Sequence, residues 1–189
     1  MLDTNRGRLI GGRSVAAIRW AAHDRKGRAD VEPLLIFIVQ FLWFLLAWSL
    51  ITRFVLWPWS ATLSPDARLS AFVAPQMFRV LGLGLLVPNL SPGMPAEFAI
   101  STATGDSLTA LLAASAFLSL RRGWSGARGL AWACTLVGLL DLLIAFPHAA
   151  STGAISHMAA QWYVPVFAGP PLVISHVACL VLLLRRGST

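Results

Sequence analysis

Three polar side chains that could do chemistry lie deep inside apolar stretches of this sequence. They are Asp106, Asp141 and His176. A charged side chain that faces hydrocarbon costs about 3 kcal/mol, so such residues face a sheltered interior, where they pair, bind a ligand or exchange protons. Two carboxylates at one level can share a proton, and a histidine below them can relay it. Apolar helices must therefore bring these three residues together.

The composition predicts a small integral membrane protein. The chain has 189 residues, of which 57% are hydrophobic, and its mean hydropathy is +0.70. A net charge of +7 could suggest nucleic acid. However, the basic residues lie in the first 32 positions and at the ends of apolar runs, where orientation in a bilayer explains them. The expected partners are the lipid bilayer and either further copies of the chain or a larger membrane complex, with no nucleic acid.

Four segments are apolar and long enough to form crossing helices, which need about 20 residues. They are predicted at about 34–57, 98–120, 128–147 and 162–184. The stretch 64–90 contains Arg68 and Arg79 with several prolines and glycines, and its longest charge-free run is too short to cross. We therefore predict that 64–90 is an amphipathic or re-entrant helix on the outer side.

The positions of the basic clusters predict the topology. They occur in residues 1–32, at Arg121, Arg122 and Arg128, and at Arg185 and Arg186. Cytoplasmic flanks carry the excess of Lys and Arg, so an even number of crossings should separate these clusters. The predicted fold is an all-α, integral membrane four-helix bundle (33–186) with one additional outer-side helix. It follows a basic cytoplasmic segment (1–32) and lies in the cell's inner (plasma) membrane, multi-pass, with both termini cytoplasmic.

The depth of the two acids predicts that they meet. At about 1.5 Å per residue from the cytoplasmic arginines, Asp106 lies about 22 Å deep, Asp141 about 20 Å and His176 about 13 Å. Ser101, Gly105 and other small residues recur at four-residue spacing beside Asp106, which permits close helix packing. Two buried acids need a cation, and Arg79 is the preferred partner. The predicted ligand or proton site is Asp106, Asp141, His176 and Arg79.

A metal site on the outer face is a weaker alternative. His148, His157 and Met158 supply ligand types that suit copper or zinc, but they lack the compact spacing of a metal site. The sequence therefore predicts no metal, and it does not identify a cofactor.

Short motifs in the second half of the chain carry a resemblance. These are Gly-Asp at 105–106, Gly-Leu-Leu-Asp-Leu at 138–142, and Val-Pro-Val-Phe-Ala-Gly-Pro-Pro-Leu-Val-Ile-Ser-His at 164–176. Together they are similar to a group of uncharacterised bacterial small integral membrane proteins. The resemblance implies that Asp106, Asp141 and His176 act as a set, and it implies no substrate.

Two functional hypotheses follow from the residues. In the first, a small membrane protein binds a ligand or relays protons through an Asp/Asp/His cavity. In the second, the chain is a structural or accessory subunit whose buried polar residues only fix helix packing. A membrane enzyme ranks last, because the sequence contains no recognisable catalytic constellation.

Overall fold

The structure, a computed structural model, describes residues 32–185, so residues 1–31 of the predicted basic segment (1–32) and Arg186 lie outside the described residues. Within this range the chain forms long helices and no strand, which confirms the predicted all-α bundle. The helices are α1 (Pro33–Ser60), α2 (Pro65–Leu86), α3 (Ala96–Arg122), α4 (Ala127–Ser151) and α5 (Ala159–Arg185). These five described helices are all long and apolar enough to cross a membrane.

The outer surface of the described bundle is apolar. Over its first 19 residues, α1 buries only Phe37. Large side chains such as Leu35, Trp43 and Phe54 are more than half exposed. An apolar surface of this extent is the kind that faces lipid, as expected of a membrane protein.

Arginines from three helices gather at one end of the bundle. Arg68 near the start of α2, Arg128 at the start of α4 and Arg185 at the end of α5 line one pocket. Trp57, in the last turn of α1, lies 4.4 Å beneath the Arg68 guanidinium. We call this end, defined by Arg68, Arg128 and Arg185, the basic end. Helices α1, α3 and α5 therefore end there, and α2 and α4 begin there.

Helix α2 runs from the basic end to the opposite end. Just after α2, the Leu90 carbonyl accepts a hydrogen bond of 3.1 Å from the Ala160 N–H, which lies in the first turn of α5. Ala160 is at the far end of α5 from Arg185. We predicted that segment 64–90 is an amphipathic or re-entrant helix on the outer side, but its helix traverses the bundle. The described bundle therefore has five long helices, whereas four crossings were predicted.

The backbone of α2 explains how a segment that contains an arginine can do this. Residues Pro65–Val73 are α-helical, and Ala74–Leu86 form a 3-10 helix. Three residues per turn bring every third residue to the same face. Its buried residues are Gln76, Arg79, Gly82 and Leu85. In an α-helix each step of three would rotate by about 60°, so the first and last of these would face opposite sides.

The outward face of the same 3-10 segment is apolar. Phe78 is 66% exposed, and Val80, Leu81 and Leu83 are between 43% and 50% exposed. The charge therefore faces the protein interior and the apolar side chains face outward, as expected for a helix in lipid. The length of the longest charge-free run therefore does not decide whether this segment can cross a membrane.

Prolines in α1 and α5 are accommodated by wider helical turns. The Trp57 N–H donates to the Thr52 carbonyl, and the Gly169 N–H donates to the Val164 carbonyl, each five residues back. Both donors immediately precede a proline, Pro58 and Pro170, which has no N–H to donate. The π-helical turns keep the backbone bonded, so both helices continue through their prolines.

Residues on α1 and α5 join these two helices. The Trp162 Nε1–H donates a hydrogen bond of 2.8 Å to Gln40 Oε1. The ring of Phe37 meets the Trp162 ring edge-on, with centroids 5.6 Å apart. Gln40, the sole amide in the predicted first span, is therefore an interhelical contact.

The path of α2 predicts which faces of the membrane two loops occupy. Thr62 precedes α2 and Asn89 follows it, and both are exposed. We expect Thr62→Cys and Asn89→Cys to react with a membrane-impermeant maleimide from opposite faces of sealed vesicles. The parent chain is the control, because Cys134 and Cys179 are buried. Reaction of both variants from one face would show that α2 does not cross.

Candidate functional site

Arg79 is enclosed between the two acids predicted to meet. Its side chain is 1% exposed. Nε donates a hydrogen bond of 2.8 Å to Asp106 Oδ1, and Nη2 donates to Asp141 Oδ2. Nη1 donates a bond of 3.3 Å to the Gly138 carbonyl. Every nitrogen of the guanidinium thus has an acceptor, and this ion triad connects α2, α3 and α4.

The ion triad of Arg79, Asp106 and Asp141 has unequal charges. One guanidinium faces two carboxylates, so the triad carries one excess negative charge when both acids are ionised. The Asp106 and Asp141 side chains keep 16% and 15% of their surface exposed. Within residues 32–185, Asp106 Oδ2 and Asp141 Oδ1 accept no hydrogen bond. Each of these two oxygens lies against a glycine of a neighbouring helix, Gly82 for Asp106 and Gly105 for Asp141.

The exposed part of the ion triad faces a cavity of about 110 Å³, which we call the central cavity. Much of its remaining wall is apolar, and four phenylalanines contribute to it: Phe37, Phe78, Phe98 and Phe146. Two further polar side chains, Thr102 and Gln161, also line it. Thr102 Oγ1 and Gln161 Oε1 are buried and have no hydrogen-bond partner among the described residues. The cavity is thus lined by aromatic rings and by two residues that each carry a buried, unpaired oxygen atom.

Glycines let the two acids reach the centre of the bundle. A Cβ placed on Gly82 of α2 would overlap the Asp106 carboxylate, which comes from α3. A Cβ on Gly105 of α3 would overlap the Asp141 carboxylate, which comes from α4. The small residue at each position is therefore required by the carboxylate that packs on it.

Two more glycines extend this arrangement to α5. Gly138 of α4 contacts the His176 ring, and Gly84 of α2 contacts the Gln161 amide. Each glycine thus receives a polar side chain from a neighbouring helix. The four contacts link α2 to α3, α3 to α4, α4 to α5 and α5 back to α2, so these helices form a closed ring.

Three of the four predicted site residues come together. The expected pairing of Arg79 with an acid is found, and it involves both acids. His176 is fully buried but is not part of the cavity wall. Its ring packs on Gly138, one helical turn from Asp141, and neither ring nitrogen has a hydrogen-bond partner among the described residues. A functional role for the four residues remains a prediction.

The weaker metal candidates have separate surroundings. The His148 ring packs edge-on against Phe98, with centroids 5.6 Å apart. His157 lies beside Gly93, and Met158 is buried in the wall of the central cavity. In the part of the chain that is described, no three His, Cys, Asp or Glu side chains are placed to hold a metal ion.

Sequence reasoning missed Thr102, Gln161 and Gln76. Gln161 precedes the predicted fourth span, which placed it in a loop, whereas it belongs to α5. Gln76 is buried one 3-10 turn before Arg79, and its Nε2 donates to the Leu172 carbonyl at 2.9 Å and to Ser175 Oγ. An isolated amide in an apolar run is the signal that could have identified both glutamines.

One comparison with known proteins assigns a family. The family model described as Domain of unknown function (DUF8737) matches residues 36–184. The chain belongs to this family. The match includes every residue of the ion triad, and it confirms the expectation of an uncharacterised family. No curated protein and no solved structure matches the chain.

Two glycine substitutions in this DUF8737 chain test the packing of the acids. Gly105→Ala should displace Asp141 and lower the free energy of unfolding by about 3 kcal/mol, since it disturbs a buried ion pair. Gly129→Ala is the matched control, because no atom lies within 4 Å of its Cβ position and alanine favours helix. Unfolding in a neutral detergent measures both. Equal stability of the two variants would contradict the packing described.

Proposed function

We propose that the chain is a membrane-embedded binding protein for a small organic cation, with the central cavity as its binding site. The observation that carries this proposal is that one guanidinium on the cavity wall is paired with two acids, so the ion triad has one excess negative charge when both acids are ionised. Burial of an uncompensated charge in an apolar protein is costly, so the cavity favours an occupant that neutralises it.

Hydrogen-bonding chemistry supports the same class of ligand. The donors of Arg79 are directed to carboxylates and to the Gly138 carbonyl. Four of the residues that line the cavity have an oxygen that accepts no hydrogen bond within residues 32–185, and these are Asp106, Asp141, Thr102 and Gln161. Three of these oxygens accept hydrogen bonds only, and the threonine hydroxyl can accept one. An ammonium group supplies the missing donors and the missing positive charge.

The size and walls of the cavity limit the rest of the ligand. A cavity of about 150 Å³ holds a benzene molecule, so a volume of about 110 Å³ suits about five non-hydrogen atoms. The phenylalanine rings on the wall favour an apolar body and attract a cation through their faces. A short alkylammonium ion fits these constraints.

A proton relay is the second candidate, because a proton would neutralise the same excess charge. His176 gives it little support, since no described hydrogen bond joins its ring to Asp106 or Asp141. The third reading, in which the polar residues only fix packing, predicts that no ligand affects the protein. The cation-binding, proton-relay and packing hypotheses predict different results in the binding test below.

The cation proposal predicts a charge-selective effect on stability. In neutral detergent, n-butylammonium should raise the thermal midpoint of the parent chain, whereas 1-butanol and butanoate should not. Asp106→Asn removes the excess charge and keeps Arg79 paired with Asp141, so it should fold and lose the response. Glu97→Gln is the control, because it removes an exposed carboxylate at the start of the same helix.

Other outcomes of this test exclude the proposal. Stabilisation by butanoate or butanol instead would keep a binding site and overturn the cationic ligand. If Asp106→Asn folds and none of the three compounds affects the parent chain, binding is overturned in favour of packing. Proton uptake into proteoliposomes that Asp106→Asn abolishes, without any effect of n-butylammonium, would favour the relay.

We further propose that the basic end faces the cytoplasm in a bacterial inner membrane. Arginines of the described chain cluster at this end: Arg68, Arg121, Arg122, Arg128 and Arg185. Glu97 lies at the opposite end of the bundle, and cytoplasmic flanks are the ones enriched in arginine. If all five helices cross, residues 33 and 185 lie on opposite sides, whereas the sequence predicted that both termini share the cytoplasmic side. In intact cells Asn89→Cys should react with the maleimide and Thr62→Cys should not, and the reverse pattern would overturn this orientation.

A further inference from the structure

A second pocket, separate from the central cavity, lies at the basic end. It has a volume of about 280 Å³ and is lined by Arg68, Arg128 and Arg185, together with leucine side chains. The three arginines come from α2, α4 and α5, which are distant in sequence and converge only in the fold. We infer that this pocket binds the phosphate group of an anionic phospholipid.

The charges around this pocket favour an anion. Among residues 32–185, the acid beside it is Asp66, with Oδ1 3.9 Å from Arg128 Nη1, and both side chains are more than a third exposed. Among the described residues, the pocket wall thus brings together three guanidinium groups and has one carboxylate beside it. Guanidinium groups match phosphate oxygens in geometry and bind them more strongly than neutral donors do.

Two helix starts add to this positive potential. Helix α2 begins at Pro65 and α4 begins at Ala127, and the described residues place Asp66 of α2 beside Arg128 of α4. The first turn of a helix has unpaired N–H groups and a partial positive charge, which favour phosphate. The arginine cluster and the helix starts thus act in the same direction.

The arginines are positioned before any ligand arrives. The Arg68 guanidinium lies 4.4 Å from the centre of the Trp57 ring, and its Nε donates a hydrogen bond of 3.2 Å to Ser60 Oγ. The Arg185 guanidinium lies 6.0 Å from the centre of the same ring. Tryptophan is favoured at the level of lipid head groups, and its ring face holds cations. Trp57 therefore orients two of the three arginines toward one place.

The surroundings favour a lipid over free phosphate. Leu63, Leu69 and Leu182 line the pocket beside the arginines, and all three helices begin or end within a few residues of it. An apolar wall at the membrane surface suits the glycerol and the first carbons of the acyl chains. Basic pockets between membrane helices bind phospholipid head groups in the same way.

A lipid titration of the full chain tests this inference. In neutral detergent, phosphatidylglycerol should raise the thermal midpoint more than phosphatidylcholine does. Arg128→Gln should weaken the apparent affinity for phosphatidylglycerol by about tenfold or more, since a charge-assisted contact is lost. The matched control is Arg122→Gln, which removes an exposed charge at the same end but does not line the pocket.

Each result of the titration either supports or overturns the binding of an anionic phospholipid in this pocket. Loss of the effect in Arg128→Gln, with Arg122→Gln unchanged, supports the pocket. Equal losses in both variants, or equal effects of the two lipids, would overturn it in favour of nonspecific attraction. An Arg128-dependent effect of inorganic phosphate, without any effect of phosphatidylglycerol, would overturn the lipid as ligand. These readouts do not depend on Asp106, so this inference can fail or hold independently of the cation site.

Discussion

Arg79 places a positive charge inside a bundle whose outer surface is apolar, and the arrangement of three helices follows from the need to neutralise that charge. A charged group at the centre of a bilayer is unfavourable by several kcal/mol even after local adjustment, and removal of one partner from a buried pair costs about 3–5 kcal/mol. Both costs are reduced when the charge is paired and hydrogen-bonded. The acids of α3 and α4 must therefore lie at the level of Arg79, and the helices must approach closely enough for three side chains to meet.

Close approach depends on glycine because the polar side chains point at neighbouring backbones. Gly82 and Gly105 leave room for Asp106 and Asp141, and a methyl group at either position would overlap a carboxylate. The small residues that permit helix packing in membranes are usually explained by contact between backbones. In this chain they also make space for ionised groups. The same two glycine positions thus allow both the close packing of the helices and the pairing of the charged side chains. A packing role and a binding role for the acids are therefore compatible.

The sequence predicts the parts of this arrangement that depend on depth and charge balance. Counting residues from the basic ends places Asp106 and Asp141 at one level, and the need for a cation selects Arg79 as their partner. The path of α2 could not be predicted in the same way, because an α-helical period places Gln76 and Leu85 on opposite faces and a count of charges makes the segment too polar to cross. Its 3-10 backbone aligns Arg79 and Gly82 with the acids of α3 and α4, and these contacts are not visible in the local sequence. His176 was predicted to line the cavity from its depth in the membrane, but it does not line it. Depth alone does not specify which face of a helix a residue occupies.

The 3-10 backbone of α2 also affects how the interior charge of this fold could change in evolution. Its buried positions lie one above another, about 6 Å apart along the axis, because each turn of three residues rises about 2 Å per residue. A side chain moved from position 79 to position 76 or 82 would keep its inward direction and change only its depth. In an α-helix the same move would also rotate the side chain toward a different neighbour. Related sequences could therefore shift the level of the charged layer by whole turns while the helices keep their packing faces.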